Sequence, residues 1–109
     1  MPDHSITCGC LQGDFPHTAM ERTFLGTDDR YAEISVDQCK RCGRNWLCYH
    51  LELEHISRSG RWYRGLIGPE VAFSHRNAQA ILEQLRDYWA GGSHFDGKVH
   101  RRSGPLDVG

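Results

Sequence analysis

Alternation is the clearest pattern along this chain. Between Ala32 and Asp37, apolar Ala32, Ile34 and Val36 interleave with polar Glu33, Ser35 and Asp37, the two-residue period of a strand with one face in a core. The pattern predicts a strand from Tyr31 to Asp37, preceded by a short arm at Thr23-Phe24-Leu25 and joined to it by a hairpin turn at Gly26-Thr27-Asp28-Asp29-Arg30. From Arg44 to Ile56 the period continues, with Leu47, Tyr49, Leu51 and Leu53 on one face and Trp46, Cys48, His50, Glu52 and Glu54 on the other. Ser57-Arg58-Ser59-Gly60 reads as a turn, and Arg61 to Ile67 as a further strand stopped by Gly68-Pro69. Together these segments predict an antiparallel meander of three to four strands.

The period then changes. Ala78, Ile81, Leu82, Leu85, Tyr88 and Trp89 recur at steps of three and four, which predicts one C-terminal helix with its apolar stripe against the sheet. Ser74 is placed to be its N-cap and Gly91-Gly92 its C-terminal cap. The first 22 residues carry no period and are broken by Gly9, Gly13 and Pro16; a brief strand leading into Cys8 is expected, then loop. Beyond Phe95 the chain is polar and glycine-rich. The expectation is an α+β fold in one domain, residues 1–97, followed by a flexible tail, residues 98–109.

Composition changes this picture in two ways. With 109 residues and a hydrophobic fraction of 39%, the chain makes one modest core that an added staple would strengthen. A net charge of −1 and a pI near 6.6 exclude a global attraction to nucleic acid or to an anionic membrane, so any electrostatic binding has to come from a local patch. No apolar run approaches the roughly 18 residues of a membrane span, and Met1-Pro2-Asp3-His4 does not open a secretory signal. A cytoplasmic location with reduced cysteines is the resulting expectation.

Four of the five cysteines fall in two tight pairs, Cys8-Gly9-Cys10 and Cys39-Lys40-Arg41-Cys42. Ligand sulfurs on one tetrahedral zinc lie roughly 3.8 Å apart. Two residues between cysteines reach that distance when the backbone turns, and Gly43 follows where a positive φ is often needed. One intervening residue is tighter, and the glycine at position 9 eases the required bend. Cys8, Cys10, Cys39 and Cys42 are therefore the candidate metal ligands and Zn2+ the expected cofactor, with His4 or His17 as possible substitutes for one sulfur. Four ligands leave no open coordination position, which makes the expected metal structural. The run Cys39, Cys42, Gly43 and Trp46 resembles the second knuckle of zinc-ribbon and rubredoxin-like domains; the first knuckle departs from their usual spacing. That resemblance, over roughly residues 5–67, implies a zinc-stapled β fold and no particular activity. Cys48 lies too far along its strand to join the site and reads as a buried strand thiol.

Candidate binding chemistry lies in Arg58-Ser59-Gly60-Arg61-Trp62-Tyr63-Arg64. Tryptophan, tyrosine and arginine are enriched in protein-binding hot spots, so Arg61, Trp62 and Arg64 are expected to contact a protein partner in a non-catalytic module. The alternative use of the same three residues is single-stranded nucleic acid, by stacking and phosphate contacts. A further alternative is an enzyme built on His50, Glu52 or His94. The His-Glu-x-x-His pattern, a phosphate-binding glycine loop and a nucleophile elbow are all absent.

Overall fold

A computed structural model describes residues 8–12, 15, 17–51, 60–92 and 99–106, the side chains of Gln12 and His17 excepted. Six strands make one antiparallel sheet: β1 Met20–Thr27, β2 Glu33–Cys39, β3 Asn45–Leu51, β4 Arg61–Ile67, β5 Tyr88–Gly92 and β6 His100–Arg102. Every strand pairs with its sequence neighbours, in the order β1-β2-β3-β4-β5-β6. A single helix, α1 Ala78–Gln84, is the one α-helical element among the described residues.

This overturns the expected α+β fold of three to four strands: the protein is mostly β, with six strands and a seven-residue helix. The correction has a definite source. Tyr88 and Trp89 continue the helical spacing of Ala78, Ile81, Leu82 and Leu85, but they belong to β5 and pair with β4. Tyr88 and Ala90 also satisfy an alternating pattern, and aromatic residues suit a pleated surface packed from both sides. Once β5 forms, its free edge is paired by β6, Tyr88 opposite Arg102 and Ala90 opposite His100. The sixth strand therefore lies in the stretch expected to be a tail, and Leu106 beyond it is buried in the main core. Asn77 rather than Ser74 precedes the helix, and its side chain makes no cap hydrogen bond; Ser74 instead holds the preceding turn, its Oγ accepting from Arg76 N at 3.2 Å.

The sheet has two different faces. Ile34, Val36, Leu47, Tyr49, Leu51 and Tyr63 form one, covered by Ala78 and Leu82 of α1. Gly65 lets the helix come close: a Cβ there would lie 2.3 Å from Leu85 Cδ1 and 2.5 Å from Leu82 Cδ2. Strand registers place Arg22, Asp37, Trp46 and Leu66 in one row of the other face, and Phe24, Ser35, Cys48, Arg64 and Trp89 in the next. One part of this second face is covered by the N-terminal segment, with Cys10, Met20, Cys39, Trp46 and Cys48 buried and Leu11 and Phe15 packed on them. The rest is open.

Leu82 has no exposed surface and is the helix's main anchor, so Leu82→Ala is expected to lower the unfolding free energy by about 2–4 kcal/mol. Leu66→Ala, on the partly exposed opposite face, should cost about 1 kcal/mol or less. Urea denaturation followed by near-ultraviolet circular dichroism measures both.

Candidate metal centre

Two short turns present the four sulfurs. The first is a 3-10 turn over Gly9–Gln12, in which Leu11 N donates to Cys8 O at 2.9 Å. This bend brings Cys8 and Cys10 to one side despite the single residue between them. The second lies between β2 and β3: Gly43 N donates to Cys39 O at 2.7 Å and Cys39 N to Arg44 O at 2.8 Å, and Gly43 takes a φ of 80°. That left-handed conformation suits glycine, and a Cβ added there would meet nothing within 4 Å. Lys40 N donates to Ala19 O at 2.8 Å, which ties the second turn to the start of β1.

The sulfurs of Cys8, Cys10, Cys39 and Cys42 all lie within 4.8 Å of one another. Cys8 and Cys39 are 3.7 Å apart, and Cys10 and Cys42 are 3.6 Å apart. A disulfide needs about 2.05 Å, whereas ligands on one tetrahedral zinc are roughly 3.8 Å apart. Four close cysteines in this arrangement form a site that can bind a metal ion. Cys48 is outside it, buried in β3 with its Sγ donating to Trp46 O at 3.5 Å.

The electrostatics of the group favour a cation at its centre. Burial pushes the Cys10 thiol far up, and the nearby sulfurs of Cys42 and Cys8 push it further. Burial raises Cys39 as well, but hydrogen bonds from the Arg41 side chain and from the Arg41 and Cys42 backbone outweigh it and bring Cys39 to about 6. Cys42 is also lowered: burial opposes, and hydrogen bonds from the Arg44 backbone and side chain prevail. Sulfurs this close repel one another as thiolates, so some hold protons unless a cation is shared. Trp46 Nε1 adds an independent observation. It is buried with no hydrogen-bond partner among the described residues, yet it stands close enough to Cys10 that its N–H favours the ionised form of that thiol. A donor aimed at sulfur fits a metal-bound thiolate better than a thiol. Burial raises Cys48, by contrast, to about 12, which keeps it a neutral thiol.

Next to the sulfurs, the second face holds a buried charge cluster that the sequence pattern did not reveal. Asp37, fully buried, accepts from Arg22 Nε at 2.8 Å through Oδ1 and from Arg22 Nη2 at 3.0 Å through Oδ2, and Arg64 Nη2 lies 3.5 Å from the same Oδ2. Burial opposes ionisation of Asp37, yet the Arg22 hydrogen bonds and the Arg64 and Arg22 charges hold its carboxyl below the usual range. Phe15 connects this cluster to the metal turns. Its ring is 5.0 Å from Trp46 and 6.2 Å from Trp62, both edge-on, and Arg64 lies 4.8 Å over its face.

The three residues expected to form one binding strand divide between the faces. Trp62 and Arg64 are on the open side; Arg61 is buried on the helix-bearing side, in phase with Tyr63. The cause is the strand period itself, which sends neighbouring residues in opposite directions. His50 is exposed and its Nδ1 lies 3.7 Å from Glu33. Glu52, His94, His4 and the side chain of His17 lie outside the described residues. Arg22, Asp37 and Phe15 went unnoticed in the sequence; an isolated aspartate on the polar side of a strand gives no sign that two arginines will enclose it.

Replacing Asp37 by alanine leaves the partly buried Arg64 beside an apolar hole, so Asp37→Ala is expected to cost about 3 kcal/mol. Arg22→Ala, which strips the fully buried Asp37 carboxylate of both hydrogen bonds but leaves Arg64 beside it, should cost about 2 kcal/mol. Urea denaturation in excess zinc compares the two. The helix of the described residues is too short and polar to cross a membrane. Compared with known proteins, the chain matches no family model, no curated protein and no solved structure.

Proposed function

We propose that the protein is a zinc-stapled binding module in which Cys8, Cys10, Cys39 and Cys42 hold a structural zinc ion and the open sheet face is the working surface. The observation that carries this reading is the set of four sulfurs within 4.8 Å of one another. An all-thiolate tetrahedral donor set suits zinc or iron. The knuckle of Cys39 to Gly43, similar to that of zinc ribbons, favours zinc. Four thiolates and one Zn2+ leave a charge of −2, which the Arg41 and Arg44 hydrogen bonds to Cys39 and Cys42 offset. With four protein ligands the ion has no place for substrate, so its contribution is to hold the N-terminal turn on the sheet. Phe15 is thereby kept against Trp46, Trp62 and Arg64, and the metal shapes the surface beside it.

The interaction surface of this reading is Trp62 and Arg64 with their neighbours Arg22 and Phe24; Arg61 supports β4 from the other side. A protein partner suits an aromatic and arginine-rich patch on a chain with no net positive charge.

The test is metal content. Native mass spectrometry is expected to find one zinc per chain, and cobalt substitution the visible spectrum of a tetrahedral tetrathiolate site. Cys39→Ser should lose the metal and lower the melting temperature by about 10 °C or more. A metal-free chain with the same melting temperature would overturn the reading, and a red iron protein would replace zinc by iron.

A further inference from the structure

The open part of the second face contains a pit of about 240 Å³. Its origin is a size pattern. Ser35 and Cys48, paired across β2 and β3, are small and form the floor. Larger side chains surround them: Phe24 on β1 and Arg64 on β4 in the same cross-strand row, Arg22 one row to one side, Glu33, His50 and Trp62 one row to the other. Floor and walls thus follow from strand register.

The walls differ chemically. At one end Arg22 and Arg64 are held by Asp37. Asp37 engages Arg22 through Nε and Nη2, the side-on edge of the guanidinium. The end-on edge, Nη1 and the second N–H of Nη2, has no acceptor among the described residues and offers two parallel donors. At the other end Glu33, 66% exposed, presents a carboxylate beside His50. Between these ends stand two aromatic side chains. Phe24 is 60% exposed. The Trp62 indole packs on its cross-strand neighbour Gly91 of β5, where a Cβ would come within 2.4 Å of Trp62 Cζ2. Volumes of this size are below those of drug-sized sites and suit a single planar ring system.

A pit with paired donors at one end, a carboxylate at the other and aromatic walls selects a flat heteroaromatic that has both an acceptor edge and a donor edge. Guanine is the base that matches both. Its O6 and N7 accept from the end-on edge of an arginine, and its N1–H and N2–H2 donate to a carboxylate. Adenine lacks the second match, since it has no donor pair for a carboxylate on that edge. Fixing Arg22 by Asp37 lowers the entropy lost on binding.

We infer that the pit enclosed by Arg22, Phe24, Glu33, Ser35, Cys48 and Trp62 is a guanine-binding site, with Arg22 taking the O6/N7 edge and Glu33 the N1/N2 edge between the aromatic walls of Phe24 and Trp62. The inference rests on the open face being the binding surface and is independent of which metal holds the N-terminal turn. It names the ligand as a base, either in a free nucleoside or in a single strand.

The experiment titrates the metal-loaded protein with guanosine and with adenosine, following tryptophan fluorescence and the Trp62 indole N–H in NMR spectra. Guanosine is expected to bind about tenfold or more tighter than adenosine. Glu33→Gln, at an exposed position, should weaken guanosine about tenfold and reduce that preference. Ser35→Leu, which fills the floor and leaves every wall in place, should abolish binding. Metal content and melting temperature measured on the same samples separate a loss of the site from a loss of the fold. A short guanine-containing single strand assigns the source: much tighter, salt-dependent binding points to nucleic acid, and affinity equal to guanosine points to the free nucleoside. Equal affinities for guanosine and adenosine, no saturation at millimolar guanosine, or unchanged binding by Ser35→Leu would overturn the inference. Tighter binding of indole-3-carboxylate than of guanosine would overturn it too, because an aromatic acid would then be the better fit. If zinc is found and guanosine does not bind, the staple stands and the base site falls; if zinc is absent and guanosine binds, the reverse holds.

Discussion

Mutual repulsion among four sulfurs is the constraint around which this protein is arranged. Brought within 4.8 Å of one another, they cannot all carry charge without a cation between them, and as four protonated thiols they would give the N-terminal segment little reason to stay. The backbone is already bent for the task at both turns, by a 3-10 turn on one side and by Gly43 on the other. From that junction the rest of the second face follows. Leu11 and Phe15 cover Trp46, Phe15 backs Arg64, and Arg64 with Arg22 neutralises Asp37.

That chain of contacts explains why a charged aspartate is tolerated in so small a structure. Burying a carboxylate in an apolar region is costly unless it is both paired and hydrogen-bonded. Asp37 has a two-point hydrogen bond from Arg22 and a second positive charge nearby. Arg64 in turn has ring faces where another arginine would have water: Phe15 at 4.8 Å and Trp62 at 5.2 Å. The same motif recurs at the sheet edge, where Arg101 lies 4.6 Å over Trp89 and 3.6 Å from Asp87. Stacked arginines thus act as the polar lining of a face that the helix does not reach.

Much of this was legible in the chain. The alternation of Ala32, Ile34 and Val36, and of Leu47, Tyr49 and Leu51, assigned the helix-bearing face correctly. The spacing of the two cysteine pairs identified the group that converges. The failures have physical causes. Tyr88 and Trp89 fit both a period near 3.6 and a period of two, and only the presence of an open edge on β4 decides between them. The short polar β6 carries no signal of its own, since its backbone is recruited by β5. Arg61, Trp62 and Arg64 read as one patch in a linear text, but a pleated strand turns the first away from the other two. The pit was invisible because it is made by what Ser35 and Cys48 lack, a bulk that no single strand's sequence marks as missing.

A last consequence concerns the order of events as the chain acquires its structure. Each strand pairs with its neighbour in sequence, so its contacts are comparatively local and can form early, the longest connection being the helix-bearing one between β4 and β5. The sulfurs are different: Cys8 is 31 positions from Cys39, and Cys10 is 32 from Cys42. Closing that span is entropically the harder step, and an ion held by the four sulfurs would be the agent that makes it worthwhile. A newly made chain would thus possess its sheet before its lid, and the supply of metal in its surroundings would set the moment at which the second face is completed.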